Sequence, residues 1–133
     1  MRFIALDYGK KRIGVAYADS TNDVVLPLGI ISNLNIRTVI SDLSNFIHER
    51  AIERIIIGLP LSFKFEETEI CSEIRDFGTN LEETTGVGVV FVNEVMSTDL
   101  SKKMTGNSGK DDSVAAQIIL SDYLLKYHKD LGK

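Results

Sequence analysis

LDYGKKRIGVA, residues 6–16, is the stretch on which the reading of this chain turns. It puts a lone carboxylate, Asp7, near the end of an apolar run over residues 2–8. Gly9 and three consecutive cations, Lys10, Lys11 and Arg12, follow, and the chain returns as a second apolar run over residues 13–19. Two such runs joined by a short glycine-containing turn read as a β-hairpin. A carboxylate buried at a strand end costs several kcal/mol unless it is paired, hydrogen-bonded or bound to a metal. Neighbouring cations attract a phosphate-bearing ligand. Carboxylate and basic turn together fit metal-assisted chemistry on a phosphodiester. The competing reading makes Asp7 the opener of an Asx-type turn, paired with Lys10 or Arg12.

Working outward, residues 24–32 (VVLPLGIIS) form a third strand, where Pro27 implies a sheet edge or a bulge. The period then changes. Ile36, Val39, Ile40, Leu43, Phe46 and Ile47 make the apolar stripe of an amphipathic helix over residues 35–50. RIIIG, residues 54–58, is a continuous apolar strand of the kind found in a sheet covered on both faces, and GLPL (58–61) reads as a rigid turn at its end. A second helix is expected over residues 66–84, with Ile70, Cys71, Ile74, Phe77 and Leu81 inward, then a buried strand over 86–93. A short helix starts near Ser97, which is placed for capping with Thr98 beside it. The last helix spans roughly 112–128, with Ala115, Ala116, Ile119, Tyr123 and Leu124 toward the core. Three leading strands followed by alternating helices and strands imply an α/β protein: an antiparallel meander extended by right-handed parallel crossovers into a mixed five-stranded sheet with helices on both faces. That is the element order of the ribonuclease H-like fold, and in such sheets ligands bind beyond the C-terminal ends of the parallel strands.

Composition narrows the class. The 133 residues, 44 % of them hydrophobic, suffice for a single domain over 1–133 with a substantial core. No apolar run approaches the roughly 18 residues of a membrane-spanning helix, and FIAL before Asp7 is too short for a secretory core. Cys71 is the single cysteine, read as a buried inert thiol, which fits a reducing cytoplasm. The net charge of −4 argues against a sequence-independent coat on duplex nucleic acid but not against a nuclease. An enzyme that binds metal through carboxylates carries acids in its site, while local cations hold the substrate. Those cations lie at 10–12, at Lys102 and Lys103, at Lys110 and toward the C-terminus at Lys126, Lys129 and Lys133. His48 and His128 lack metal-ligand spacing and read as surface residues. Ser62, Ser97 and Thr98 have no nearby histidine, so no serine-hydrolase arrangement is present, and the Gly58 segment lacks the Lys-Ser/Thr of a Walker motif.

Two more acids fall at element ends. Glu94 follows the VVFVN strand, and Asp112, with Asp111 beside it, opens the final helix. Mg²⁺ or Mn²⁺ prefers oxygen ligands and keeps several waters, so a few carboxylates plus substrate phosphate suit it. Each acid has a plainer reading. Asp112 could cap the final helix and complement its dipole. Glu94 could be a solvated loop residue, and Asp111 a solvent-facing residue or the cap.

Four blocks, LDYGKKRIGVA (6–16), IIIGLPLS (55–62), NEVMST (93–98) and DDSVAAQIILSDYL (111–124), resemble the YqgF/RuvX family, described both as pre-16S rRNA nucleases and as Holliday-junction-resolvase-like. They occur in the family's order and span nearly the whole chain. The first and last are specific; GLP alone is weak. The resemblance implies a ribonuclease H-like fold, a cytoplasmic location, 5′ trimming of the small-subunit rRNA precursor, and divalent-metal catalysis by one acid from each of the first, third and fourth blocks. Position by position these are Asp7, Glu94 and Asp112, with Mg²⁺ or Mn²⁺ as the cofactor. Lys10, Lys11, Arg12 and Lys110 would contact nucleic acid. The third block departs from the family's usual Asp-Glu-Arg-Leu-Ser-Thr: Asn93 replaces an acid and Val95 an arginine. The segment before Asp112 is also shorter and less basic than usual. Three other functions compete. A phosphotransferase of the actin/sugar-kinase type shares the Asp-x-Gly turn but needs a second such domain. A non-catalytic RNA-binding assembly module, possible partner of the small ribosomal subunit, would keep the fold without turnover. A Holliday-junction resolvase would need a dimer, whereas the sequence fits a monomer or a weak homodimer.

Overall fold

The structure, a computed structural model, describes residues 1–21, 25–62, 64, 66–95, 116–121 and 123. Strands β1 (Arg2–Tyr8), β2 (Arg12–Asp19) and β3 (Val25–Ser32) form an antiparallel meander. Helix α1 (Ile36–Glu49), strand β4 (Arg54–Leu61), helix α2 (Ile70–Thr85) and strand β5 (Gly88–Val95) follow. β4 pairs parallel to β1, and β5 parallel to β4, giving one five-stranded sheet in the order β3-β2-β1-β4-β5. This is the mixed sheet expected from the pattern.

Side-chain alternation divides the sheet between two cores. On one face Ile4, Leu6, Tyr8, Ile13, Val15, Ile55 and Ile57 pack under α1 and α2, which contribute Val39, Leu43, Ile47, Ile74, Phe77 and Leu81. On the other, Phe3, Ala5, Ala16, Ala18 and Ile56 meet Ala116, Ile119 and Leu120 from helical residues 116–121. Helices therefore cover both faces. The second face is floored largely by alanine, which lets that helix approach closely. Its contacts to the sheet include Gln117 Nε2 donating to the Val25 carbonyl (3.2 Å), Arg54 Nη1 donating to the Tyr123 hydroxyl (2.7 Å), and an edge-on contact of Tyr123 with Phe3 (5.7 Å).

Local chemistry sets the boundaries. Asn35 caps α1, its Oδ1 accepting from the amides of Arg37 (3.0 Å) and Thr38 (3.3 Å). Gly86, in the left-handed region at φ 74°, closes α2. Pro27 meets both expectations attached to it. β3 is an edge strand, and its register against β2 shifts between Val15 and Ala16.

Three expectations need correction. The strand expected as buried over 86–93 is β5, Gly88–Val95, a part-buried edge strand that contains Glu94 rather than ending before it. GLPL (58–61) is not a turn but the second half of β4, in register with Val92–Val95. β1 stops pairing with β4 at Leu6 and Ile57, so that flank of β4 is open where Pro60, which lacks an N–H, must sit. The Pro60 carbonyl instead accepts from Thr68 Oγ1 (2.8 Å) and Cys71 Sγ (3.3 Å); the thiol is buried as expected. The second helix begins at Ile70 rather than 66. Before it, Ser62 and Glu66 bond backbone to backbone (2.8 Å), and Glu67 bridges Leu61. The chain is thus held in a tight return and cannot yet be helical. The expected helix near Ser97 and the residues 112–115 and 124–128 of the last helix lie outside the described residues.

Gly78 lies inside the unbroken helix α2, where alanine would be the better helix former. A Cβ there would come within 2.5 Å of Phe91 Cζ and 2.9 Å of Cε1, so the glycine sets the helix–sheet spacing. Gly78→Ala is expected to destabilise the fold by about 1–3 kcal/mol, overpacking outweighing the gain in helix propensity. Chemical denaturation measures it; an unchanged or higher midpoint would contradict this packing.

Candidate metal and nucleic-acid site

Asp7 follows Phe3 and Ala5 in alternation, so it belongs to the sheet face that residues 116–121 cover. Glu94 follows Val92, which packs on that same face. Both are half-buried at the C-terminal ends of their strands. β4 lies between them. One step beyond the Leu6–Ile57 pair, Gly58 stands beside Asp7, while Glu94 registers with Pro60. At the usual strand spacing the two acid-bearing strands lie roughly 10 Å apart. Gly58 leaves the floor between them without a side chain. A Cβ at that position would come within 2.8 Å of Ile119 Cδ1 and 3.5 Å of Glu94 Cγ.

The donor set fits a hard divalent cation: two half-buried carboxylates at strand ends on one sheet face, both oxygen ligands. Asp112, expected as the third acid, lies outside the described residues, as do Asp111 and Lys110. Asn93 is exposed and, by alternation, on the face opposite Glu94. The acid missing from the family pattern at that position is therefore not taken from the face that Asp7 and Glu94 share.

The basic turn begins two residues beyond Asp7. Lys10, Lys11 and Arg12 are all exposed. The Gly9 amide donates to the Arg12 carbonyl (2.9 Å), and a Cβ on Gly9 would stand 2.7 Å from that oxygen, so the turn requires glycine. Asn33, from just past β3, donates through Nδ2 to the Gly9 carbonyl (2.8 Å) and through its backbone amide to the Lys11 carbonyl (2.9 Å). Tyr8, on the other face, donates its hydroxyl to Glu73 (2.6 Å) and stacks obliquely on Phe77 at 4.8 Å. Burial and then the Glu73 contact push its phenol above the ordinary tyrosine range, with Asn33 working the other way. His48 is exposed near the end of α1 and 3.3 Å from the Thr85 carbonyl, a surface residue as expected. A shallow cleft of about 340 Å³ between α1 and α2, lined by residues such as Arg37, Ser41, Asn45 and Asn80, belongs to the other side of the sheet and presents no carboxylate.

With this geometry in place, the relatives are informative. The family model RuvX, described as a Holliday junction resolvase, matches residues 1–126. The chain belongs to the RuvX family. Among RuvX relatives, a protein of Mycoplasma mobile named "Putative pre-16S rRNA nuclease" is 34 % identical over 135 residues, covering 96 % of this chain and 94 % of its own. A Chlamydia caviae protein of the same name is 31 % identical over 133 residues, covering 92 % and 82 %. Among solved structures, Thermus thermophilus RuvC superposes with a TM-score of 0.65 at 9 % identity, covering 97 % of each chain. The same protein in complex with a Holliday junction substrate gives 0.60 at 10 % identity over 96 % of each. These superpositions establish the ribonuclease H-like fold.

The sequence places Gly58 at the edge of the site but in a turn, although the unbroken apolar run through it is a strand signal. Asn33 carried no signal, because its role depends on a contact 24 residues away.

The Tyr8 contact predicts a pH effect. A phenol whose folded pKa lies above its unfolded value stabilises the fold below the unfolded pKa. That contribution is lost as pH rises through the folded one. Wild type should therefore lose stability above about pH 10, and Tyr8→Phe should lose less across that interval. Denaturation midpoints from pH 8 to 11 would test it; parallel profiles would contradict the assignment.

Proposed function

We propose that the chain is a divalent-metal-dependent nuclease that processes the 5′ end of the 16S rRNA precursor. The carrying observation is that Asp7 and Glu94 occupy one sheet face at strand ends, with the exposed Lys10-Lys11-Arg12 turn starting just beyond Asp7. Membership of a nuclease family supports hydrolysis of a phosphodiester ester bond. Asp7, Glu94 and, from the fourth block, Asp112 would hold Mg²⁺ or Mn²⁺. Such an ion, when bound, supplies charge stabilisation at the phosphate and acidifies an attacking water.

The chain's own residues do the rest. Lys10, Lys11, Arg12 and Lys110 neutralise substrate phosphates, so binding weakens steeply with salt. Gly58 leaves the space that Ile119 fills beside Glu94, so the helix closes over the floor next to the acid. The half-buried carboxylates act in a setting where charge–charge interactions exceed those in bulk water. Hydrolysis forms one P–O bond from water and breaks another, the leaving oxygen taking up a proton.

The family description and the relatives' names point to different substrates. Identity of 34 % over nearly both full lengths to a protein named for the rRNA precursor, against 10 % to RuvC in complex with a Holliday junction substrate, favours the rRNA precursor. A place in the cytoplasm beside the small ribosomal subunit accords with that substrate. A single domain over 1–133 agrees with the matched span of 1–126. No helix among the described residues is long and apolar enough to cross a membrane.

The test is cleavage of a short single-stranded RNA carrying the 5′ precursor junction, in Mn²⁺ or Mg²⁺, with an EDTA control. Wild type should release metal-dependent products, and Asp7→Asn should slow them at least about 100-fold. Unchanged cleavage by Asp7→Asn would remove Asp7 from the site. RNA binding by wild type without cleavage in either metal would establish the assembly-module reading instead.

A further inference from the structure

The cations of the 10–12 turn sit on long, flexible side chains, so their backbone frame decides how they meet a phosphate chain. Within the turn that frame includes one hydrogen bond, Gly9 N to the Arg12 carbonyl at 2.9 Å. Asn33 supplies two more. Its side-chain amide holds the Gly9 carbonyl at 2.8 Å and its backbone amide holds the Lys11 carbonyl at 2.9 Å. The two carbonyls that bracket Lys10 are thus both directed onto a single residue from the end of β3. Their negative ends, which would repel a phosphate, face inward. Asn33 is half-buried, whereas Lys10, Lys11 and Arg12 are exposed, the arrangement of a support beneath a contact surface. Tyr8, the residue before Gly9, is anchored in turn by its hydroxyl bond to Glu73 of α2 at 2.6 Å.

We propose that Asn33 is a positioning residue for nucleic-acid binding, its side-chain amide holding the Gly9 carbonyl so that Lys10, Lys11 and Arg12 are presented together. This rests on the reading of that turn as the substrate-gripping surface. Preorganisation of this kind raises affinity by removing an ordering cost at binding, and it leaves the acids of the reacting centre untouched. The backbone bond from Asn33 to Lys11 does not need the side chain, so Asn33→Ala keeps the β2–β3 ladder and the fold.

The experiment is a fluorescence-anisotropy titration of a labelled single-stranded RNA at several salt concentrations. It compares wild type, Asn33→Ala and Leu34→Ala; Leu34 is the adjacent residue, 85 % exposed. Asn33→Ala should bind roughly three- to ten-fold more weakly, the loss expected for one hydrogen bond. Its slope of log affinity against log salt should be shallower by about one. The Gly9 amide should exchange faster in the same variant. Leu34→Ala should match wild type in all three. Wild-type affinity and slope in Asn33→Ala, whether or not its melting temperature falls, would overturn the positioning role while leaving the turn as a binding surface. Absent or salt-independent RNA binding by wild type would overturn the reading of the turn itself, and this inference with it.

Discussion

The structure depends on the two-sided burial of β1. Phe3, Ile4, Ala5 and Leu6 are all 0 % exposed, flanked by β2 along the full strand but by β4 only as far as Leu6. A strand buried on both faces must be apolar until its partners leave it. Asp7 is the first position at which a carboxylate can be carried without complete loss of solvent. Where β1 loses β4, β4 continues with β5 and brings Glu94 along the same face. The place where the sheet opens and the place where the acids gather are therefore one place.

The two faces of the sheet are built for different tasks. Under α1 and α2 the core is filled by isoleucine, leucine and aromatic side chains, and the helices stand at a distance fixed by contacts such as Gly78 on Phe91. Beneath residues 116–121 the floor mixes Phe3 and Ile56 with the small residues Ala5, Ala16, Ala18 and Gly58, and Ile119 Cδ1 takes the space a Cβ on the glycine would need. Small residues let a helix come down beside Glu94, and branched and aromatic side chains fill the larger core on the reverse side. The net charge of −4 is consistent with nucleic-acid binding because the cations are concentrated, three of them in the single turn that continues from Asp7.

Much of this was legible in the sequence, for identifiable reasons. The switch from period two to the 3.6-residue stripe at Ile36 located α1. Pro27 marked the edge strand, and the Asp7 block gave both hairpin and carboxylate. The misreadings concern residues whose local preference is overridden by distant partners. Pro60 reads as a turn residue, yet it lies in β4 because β1 has already ended there and Thr68 satisfies its carbonyl. Residues 66–69 have helical character, but the Ser62–Glu66 and Leu61–Glu67 contacts hold the first two in the return, and helical geometry is reached only at Glu69. Glu94 could be placed at a strand end from its sequence, but not on the face of Asp7. That required the register of three strands. Asn33 was invisible for the same reason.

The central proposal is that Asp7 and Glu94 act together in holding divalent metal. Calorimetric titration of Mn²⁺ into wild type and Glu94→Gln, without nucleic acid and with folding checked by circular dichroism, addresses it most directly. The account predicts saturable binding by wild type and at least about a tenfold loss of affinity in Glu94→Gln. Equal binding by the two proteins, with both folded, would show that the carboxylates on this sheet face do not act together and would contradict it.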